Sequence, residues 1–340
     1  MLQTNLFYNI VSIIKYFGFK MSGKRKNKET EDVTTPLCEL IKEDKLEELK
    51  GYIPVREFGI KIDDSLNIDI VAIDQKFGLE GYENSYDDVV AIECKYQTNI
   101  NYAIQISLAQ AILYQTSFKK VYIAANKDGS DPSHHVKNIL ERTGIGLITV
   151  NNKGTSKEIE IAIPANPSKS NFFCEDLYKK NTRDRASLIA AFARACEANG
   201  YSKRDLHFSW TGSKNRKGSK KISLHIWMEI HIIKDKLRIG CVYSLKLDEN
   251  DKPEKVEKAA LRISIKKSLV PDESVKKQIA HKFPDAGDDG KSMQDDQLGL
   301  LQEWDYDLHS LIEEENNKGI QKIIKDRVRW VNNNLKNKIS

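Results

Sequence analysis

Two neighbouring segments of the chain carry charged residues inside otherwise apolar runs. Asp69 interrupts a run of isoleucine and valine, and Glu93 and Lys95 follow the apolar run Val89–Ile92. Residues two apart on a strand share a face, so Glu93 and Lys95 are expected to point the same way. Charged groups are costly to bury without partners, which makes this pattern a candidate for chemistry.

A hairpin would bring these three residues together. If Asp69 lies opposite Glu93, Gly81 falls midway in the intervening loop, and both carboxylates share one sheet face with Lys95. Paired carboxylates can bind a hard divalent cation, Mg²⁺ with Mn²⁺ as a substitute, which holds a phosphate and activates water. The lysine could orient or help deprotonate that water, or stabilise developing charge. An ion pair at a sheet rim fits the same spacing equally well.

The surrounding pattern indicates an α/β domain with a mixed sheet. Three strands in succession favour an antiparallel meander, and the later alternation of helices and strands favours parallel crossovers, with helices on both faces. The first helix is expected to begin at Pro36 and to end at Gly51. The elements that follow are strands at Tyr52–Lys61, Asn67–Asp74 and Val89–Tyr96, a helix at Tyr102–Phe118, a strand at Val121–Ala125, a helix at Ser133–Arg142 and a strand at Ile145–Val150.

The run IDIVAID, a loop and the run VVAIECKYQ resemble the PD-(D/E)XK nuclease superfamily, which has the restriction-endonuclease-like fold. Asp69 matches the aspartate of that motif, Glu93 its second acidic residue and Lys95 its lysine, while Ile68 stands where the motif has proline. The resemblance covers residues 36–152. It implies a Mg²⁺-dependent endonuclease that hydrolyses DNA phosphodiester bonds in restriction, defence or DNA repair.

The resemblance also suggests supporting residues. Gln110 and Tyr114, in LAQAILYQ, are similar to the Q-x-x-x-Y element of some branches, although ordinary helix packing explains them as well. Gln97 shares the face of Lys95 and could contact DNA or the site. In many members a glutamate of the first helix joins the metal site, and Glu39 is the expected one here. The competing glutamates are Glu43, Glu47 and Glu48.

The length of 340 residues predicts two domains at about 150 residues each. Residues 1–35 are expected to form a tail, apolar and then basic, and residues 36–163 the nuclease-like domain. The stretch 164–183, with prolines and small polar residues, is expected to connect the domains. Residues 184–340 are expected to form an α+β domain with an antiparallel sheet, because Lys221–Ile233 alternates apolar and polar residues.

The charge balance permits a nucleic-acid partner. The chain has 54 basic and 49 acidic residues, a net charge of +5, and a basic loop in the second domain could follow a phosphate backbone. The cations of that loop are Lys214, Arg216, Lys217, Lys220 and Lys221. DNA is the expected partner, and paired cuts would favour a homodimer. The alternative for the basic loop is a solvated hairpin tip. The alternatives for the whole protein are a catalytically inactive nucleic-acid-binding or assembly protein that keeps the fold, and a nuclease acting on RNA.

The remaining composition bears on location. The five cysteines are scattered and none forms a C-x-x-C pair, which predicts buried, reduced thiols in a cytoplasmic protein. The first twenty residues are apolar but broken by Asn5, Asn9, Ser12 and Lys15, so no stable membrane insertion is expected. Met21 is an alternative start of the natural chain.

Overall fold

The structure is a computed structural model in which the chain divides into two compact units. The first unit runs to Asp74 and resumes from Glu83 to Asp184, and the second comprises Gln75–Tyr82 and the chain from Arg185. The structure describes residues 28–61, 65–127, 130–153, 156–213, 223–233, 237–247, 253–266, 297–304, 329 and 333.

The first unit contains a six-stranded mixed sheet in the order β1–β2–β3–β4–β5–β6. The strands are β1 Tyr52–Lys61, β2 Ser65–Asp74, β3 Val89–Lys95, β4 Lys120–Asn126, β5 Gly146–Lys153 and β6 Ser156–Ile163. The first three pair antiparallel, β3, β4 and β5 pair parallel, and β6 returns antiparallel. The expected α/β class and mixed sheet are confirmed, and β6 adds an edge strand that the sequence pattern had not indicated.

The register of β2 and β3 agrees with the hairpin inferred from the sequence. Ile70 pairs with Ile92 and Val71 with Ala91, which is the alignment that sets Asp69 opposite Glu93. All seven residues of β3 are buried, as expected for a strand with neighbours on both sides and cover on both faces. Any charged side chain on β3 therefore needs partners within the fold.

The first described helix starts upstream of Pro36, so the predicted start was wrong. Thr30–Thr34 forms a π-helical turn that leads into α1, Thr35–Lys42. Proline has no N–H to donate within a helix, and the wider π turn is the kind of irregularity that accommodates this loss. The predicted end at Gly51 was also wrong, because Asp44 adopts a left-handed conformation with φ 55° and breaks the helix.

One face of α1 and its preceding turn belongs to the core. Val33, Leu37 and Ile41 recur at a spacing of four and are fully buried. They pack in one cluster with residues of the central strands, among them Ile70 and Ile92. The helical face that packs on the sheet thus extends upstream of Pro36, towards residue 29.

Two further helices connect the parallel strands. α2, Ile100–Tyr114, links β3 to β4, and α3, His134–Thr143, links β4 to β5. α2 begins two residues earlier than predicted because the Asn99 side chain caps it, accepting a hydrogen bond from the Tyr102 amide. It ends four residues earlier, at Tyr114. Parallel strands need such crossovers, and these place the start of α2 directly after the end of β3.

The segment expected to connect the domains packs on the first unit. The Cys174 amide donates to the Thr116 carbonyl at 2.9 Å, and the Phe173 ring lies 5.0 Å from the Tyr86 ring, centroid to centroid. A short helix, α4, follows at Glu175–Tyr178. These contacts explain why the first compact unit continues to Asp184.

The second unit contains α5, Asp184–Glu197, with its first residue in the first unit, and antiparallel strands in the order β7–β8–β9–β10–β11. The Arg194 guanidinium donates to the carbonyls of Gln75 and Phe77 at 2.6 and 2.9 Å, which ties residues 75–82 to α5. The strands are β7 Leu206–Ser213, β8 Ser223–Ile233, β9 Leu237–Leu247, β10 Pro253–Lys266 and β11 Gln297–Trp304.

The cysteines and the hydropathy pattern were partly as expected. Cys38, Cys94 and Cys196 are buried free thiols, but Cys174 is exposed, because it caps a short surface helix rather than facing the core. Within the described part of the chain, no helix has the length and apolar character needed to cross a bilayer.

Candidate functional site

β2 and β3 bring the two sequence-predicted carboxylates to one place. Asp69 is half-buried on β2, and its Oδ2 accepts a hydrogen bond from the Cys94 amide at 2.8 Å. That bond fixes the aspartate against the strand that carries Glu93. The hairpin register thus sets Asp69 opposite Glu93, and the hydrogen bond of the Asp69 side chain stabilises that register.

Each oxygen of the Glu93 carboxyl group has a partner within the protein. Its Oε1 lies 3.4 Å from the Lys95 Nζ, and its Oε2 accepts a hydrogen bond from the Tyr114 hydroxyl at 2.8 Å. Glu93 is only 2% exposed and Tyr114 is fully buried. Tyr114, the last residue of α2, therefore positions Glu93 from the helix that crosses to β4.

A fourth charged residue, Glu29, completes the cluster. Its Oε2 lies 3.3 Å from the Lys95 Nζ, so the ammonium sits between Glu29 and Glu93. Glu29 is 6% exposed and lies one turn before Val33. It was missed because the sequence placed the start of the helix at Pro36. The spacing of four from Glu29 through Val33 to Leu37 is the signal that would have found it.

Burial and neighbouring charge control the protonation of these groups. Burial, together with the charge of Asp69, raises the pKa of Glu93 to about 8, although Lys95 and the Tyr114 hydroxyl act in the opposite direction. Burial also raises the pKa of Glu29. Burial alone would lower the pKa of Lys95, but Glu93, Glu29 and Asp69 outweigh it, and its pKa lies above the ordinary value. Lys95 is therefore a stable cation at neutral pH.

The donor set fits a hard divalent cation. The described residues contain no ready-made group of three histidine, cysteine or acidic ligands, but Mg²⁺ commonly takes one or two protein carboxylates and completes its shell with water and phosphate oxygens. Asp69 and Glu93 offer two carboxylates on adjacent strands. Glu29 adds a third, buried carboxyl group, whose Oε2 is paired with the Lys95 Nζ at 3.3 Å. Asp69 and Glu93 are the residues that would hold such an ion.

Glu39 is not part of the cluster. Its carboxylate is 56% exposed on α1 and lies 3.5 Å from the Lys42 Nζ. The competing glutamates are also elsewhere: Glu43 pairs with Lys45, Glu48 accepts from the Tyr122 hydroxyl, and Glu47 is exposed. The glutamate that the helix supplies is Glu29, because only the upstream turn reaches Lys95.

Of the three other predicted supporting residues, Tyr114 contacts the cluster, and no contact of Gln110 or Gln97 with the cluster is seen among the described residues. Tyr114 joins the site, whereas Gln110 is a half-buried residue of the same helix, one turn earlier. The Gln97 amide donates to the Asn126 Oδ1 at 2.7 Å, which joins the chain after β3 to the end of β4. The predicted nucleic-acid-binding loop lies outside the residues that the structure describes. Its cations are Lys214, Arg216, Lys217, Lys220 and Lys221.

Cys94 lies between Glu93 and Lys95 in sequence but is not a nucleophile. It is fully buried, and burial together with the charge of Asp69 raises the pKa of its thiol well above the ordinary value. The titratable groups of the cluster are therefore three carboxyl groups, one ammonium and one phenol.

Comparisons of the chain with protein families, with characterised proteins and with solved structures found no match.

Proposed function

We propose that the protein is a Mg²⁺-dependent nuclease that hydrolyses phosphodiester bonds of DNA. The observation that carries the proposal is the cluster of Asp69, Glu93, Lys95 and Glu29 on buried strands and on the helix that covers them. Charged groups are costly to bury, and clusters with strongly shifted pKa values are concentrated at functional sites. The order of strands and helices around the cluster, similar to that of PD-(D/E)XK nucleases, supports the same proposal.

The carboxylates of Asp69 and Glu93 would hold the ion. When bound, a divalent cation polarises a phosphoryl oxygen and lowers the pKa of bound water. Asp69 is fixed by the Cys94 amide and Glu93 by the Tyr114 hydroxyl. Ligands restrained in this way need little rearrangement when an ion and a substrate arrive.

Lys95 acts as a fixed cation in this proposal. Its raised pKa keeps it protonated, so its role is to donate hydrogen bonds to the attacking water or to stabilise developing negative charge, rather than to accept a proton. Glu29 and Glu93 flank its Nζ at 3.3 and 3.4 Å. Glu29 is thus a positioning residue for Lys95.

The direct test is cleavage of supercoiled DNA, linear DNA and RNA by the full chain in Mg²⁺, in Mn²⁺ and in EDTA. We expect metal-dependent cleavage of DNA that falls by about 100- to 1,000-fold in Lys95→Ala, as when one preorganised transition-state donor is removed. Asp69→Asn should also lose activity. Glu141→Gln, which changes an exposed carboxylate of α3, is the matched control. Equal cleavage by wild type and Lys95→Ala, or no cleavage of any substrate, would refute the proposal.

A nuclease of this kind would serve restriction, defence or DNA repair in the cytoplasm, and paired cuts would favour a homodimer. Preferential cleavage of RNA in the same assay would instead favour the RNA alternative. Analytical ultracentrifugation with and without DNA would test the homodimer.

A further inference from the structure

A second contact lies directly beside the cluster. Lys28 precedes Glu29, and Tyr96 follows Lys95 on the chain. The Lys28 Nζ lies over the Tyr96 ring, 5.4 Å from its centroid. Two consecutive residues, the first that the structure describes, thus pair with the last residue of β3 and the residue after it.

The two pairs differ in their access to solvent. The Glu29–Lys95 pair is buried, with side chains 9% and 10% exposed. Lys28 is exposed and Tyr96 is half-buried. A cation over a partly solvated aromatic ring is held only weakly, so the ammonium keeps its capacity to bind an anion while the ring limits its range of positions.

The charges of the cluster suggest a role for Lys28. Asp69 is the half-buried carboxylate of the cluster, so a phosphodiester that approaches it meets a negative charge. Lys95 is already engaged by Glu29 and Glu93. An exposed cation one residue from the cluster offsets the repulsion where the backbone of a nucleic acid would enter.

We propose that Lys28, positioned by the ring of Tyr96, binds a backbone phosphate of the nucleic acid beside the scissile bond. The inference rests on the proposed function, because it assigns the substrate's position relative to the same cluster. It predicts an electrostatic contact without base preference.

Binding of the full chain to a fluorescent DNA duplex in EDTA, at several salt concentrations, tests the proposal. One lost phosphate contact lowers the slope of log K against log salt by about 0.9 and the affinity by about eightfold at 0.1 M salt. We expect that loss in Lys28→Gln. Lys50→Gln, at an exposed lysine after the turn Glu47–Leu49, makes the same charge change and should bind like wild type.

The ring supplies a second pair of variants. Tyr96→Phe keeps the aromatic face and should retain wild-type binding, whereas Tyr96→Leu should lose part of the affinity. If Lys28→Gln and Lys50→Gln have the same affinity and the same salt slope, the phosphate contact is refuted. A wild type that cuts no nucleic acid, but whose DNA affinity falls in Lys28→Gln, would overturn the proposed function and support the contact.

Discussion

Glu93 gives the sharpest prediction, because its burial makes the stability of the metal-free protein depend on pH. The pKa of Glu93 is about 8 in the folded chain, against an ordinary value of 4.5. Between these values the folded protein holds a proton that the unfolded chain releases. The free energy of unfolding must therefore fall as pH rises through this window.

The size of the effect follows from the shift. One proton bound only in the folded state gives a slope of about −1.4 kcal/mol per pH unit. The free energy should therefore fall by about 2–3 kcal/mol between pH 5.5 and 7.5. The stabilisation is complete below pH 4.5 and is lost as pH passes 8. Glu29, whose pKa is also raised by burial, acts in the same direction.

Hydrogen exchange of the β3 amides measures the free energy of unfolding of the first unit at each pH, and it does not require that both compact units unfold together. The exchange rates are corrected for their intrinsic pH dependence and recorded in EDTA. Glu93→Gln replaces the carboxyl by an amide that does not titrate, so most of the slope should disappear. Glu141→Gln on exposed α3 should leave the slope unchanged. A wild-type slope near zero, or an equal slope in Glu93→Gln, would show that Glu93 is not a buried acid with a raised pKa.

Three further predictions concern neighbouring residues. Tyr114→Phe removes the hydroxyl that lowers the pKa of Glu93, so the acidic limb of the cleavage pH profile should move to higher pH, and an unmoved limb would contradict the contact. Glu29→Gln removes the charge that holds the Lys95 ammonium and should lower kcat by about 10- to 100-fold with little change in KM. A wild-type kcat would exclude a positioning role. Gly146→Ala would set a Cβ 2.3 Å from the Tyr122 ring, and this overpacking should cost about 1–3 kcal/mol, measured as a lower Tm. An unchanged Tm would contradict that packing.

The site was predictable from sequence where the signals were local. Alternation of apolar residues placed β2 and β3, and the glycine-bearing loop between them fixed the register that sets Asp69 opposite Glu93. Tyr114 was a candidate only through its motif, and the contact with Glu93 Oε2 gives it a physical role. These features depend on a period of two and on a turn, both of which the chain encodes over short distances.

Glu29 and the helical turn upstream of Pro36 were not predictable in the same way. Pro36 is a strong local signal for a helix start, but packing of Val33 and Leu37 on the sheet stabilises a helical turn upstream of it. That burial is gained only when the helix docks on strands that are distant in sequence. Glu39 fits the local pattern as well as Glu29 does, yet it faces solvent beside Lys42.

The sequence by itself thus determined the three charged residues of the strands, their shared face and the α/β class that carries them. Only the tertiary structure decided which glutamate meets Lys95, that Tyr114 contacts Glu93, and that Lys28 lies over Tyr96. The physical reason is the range of the forces involved. Strand periodicity and turns follow from neighbouring residues, whereas the partner of a buried charge is set by packing between elements far apart in the chain.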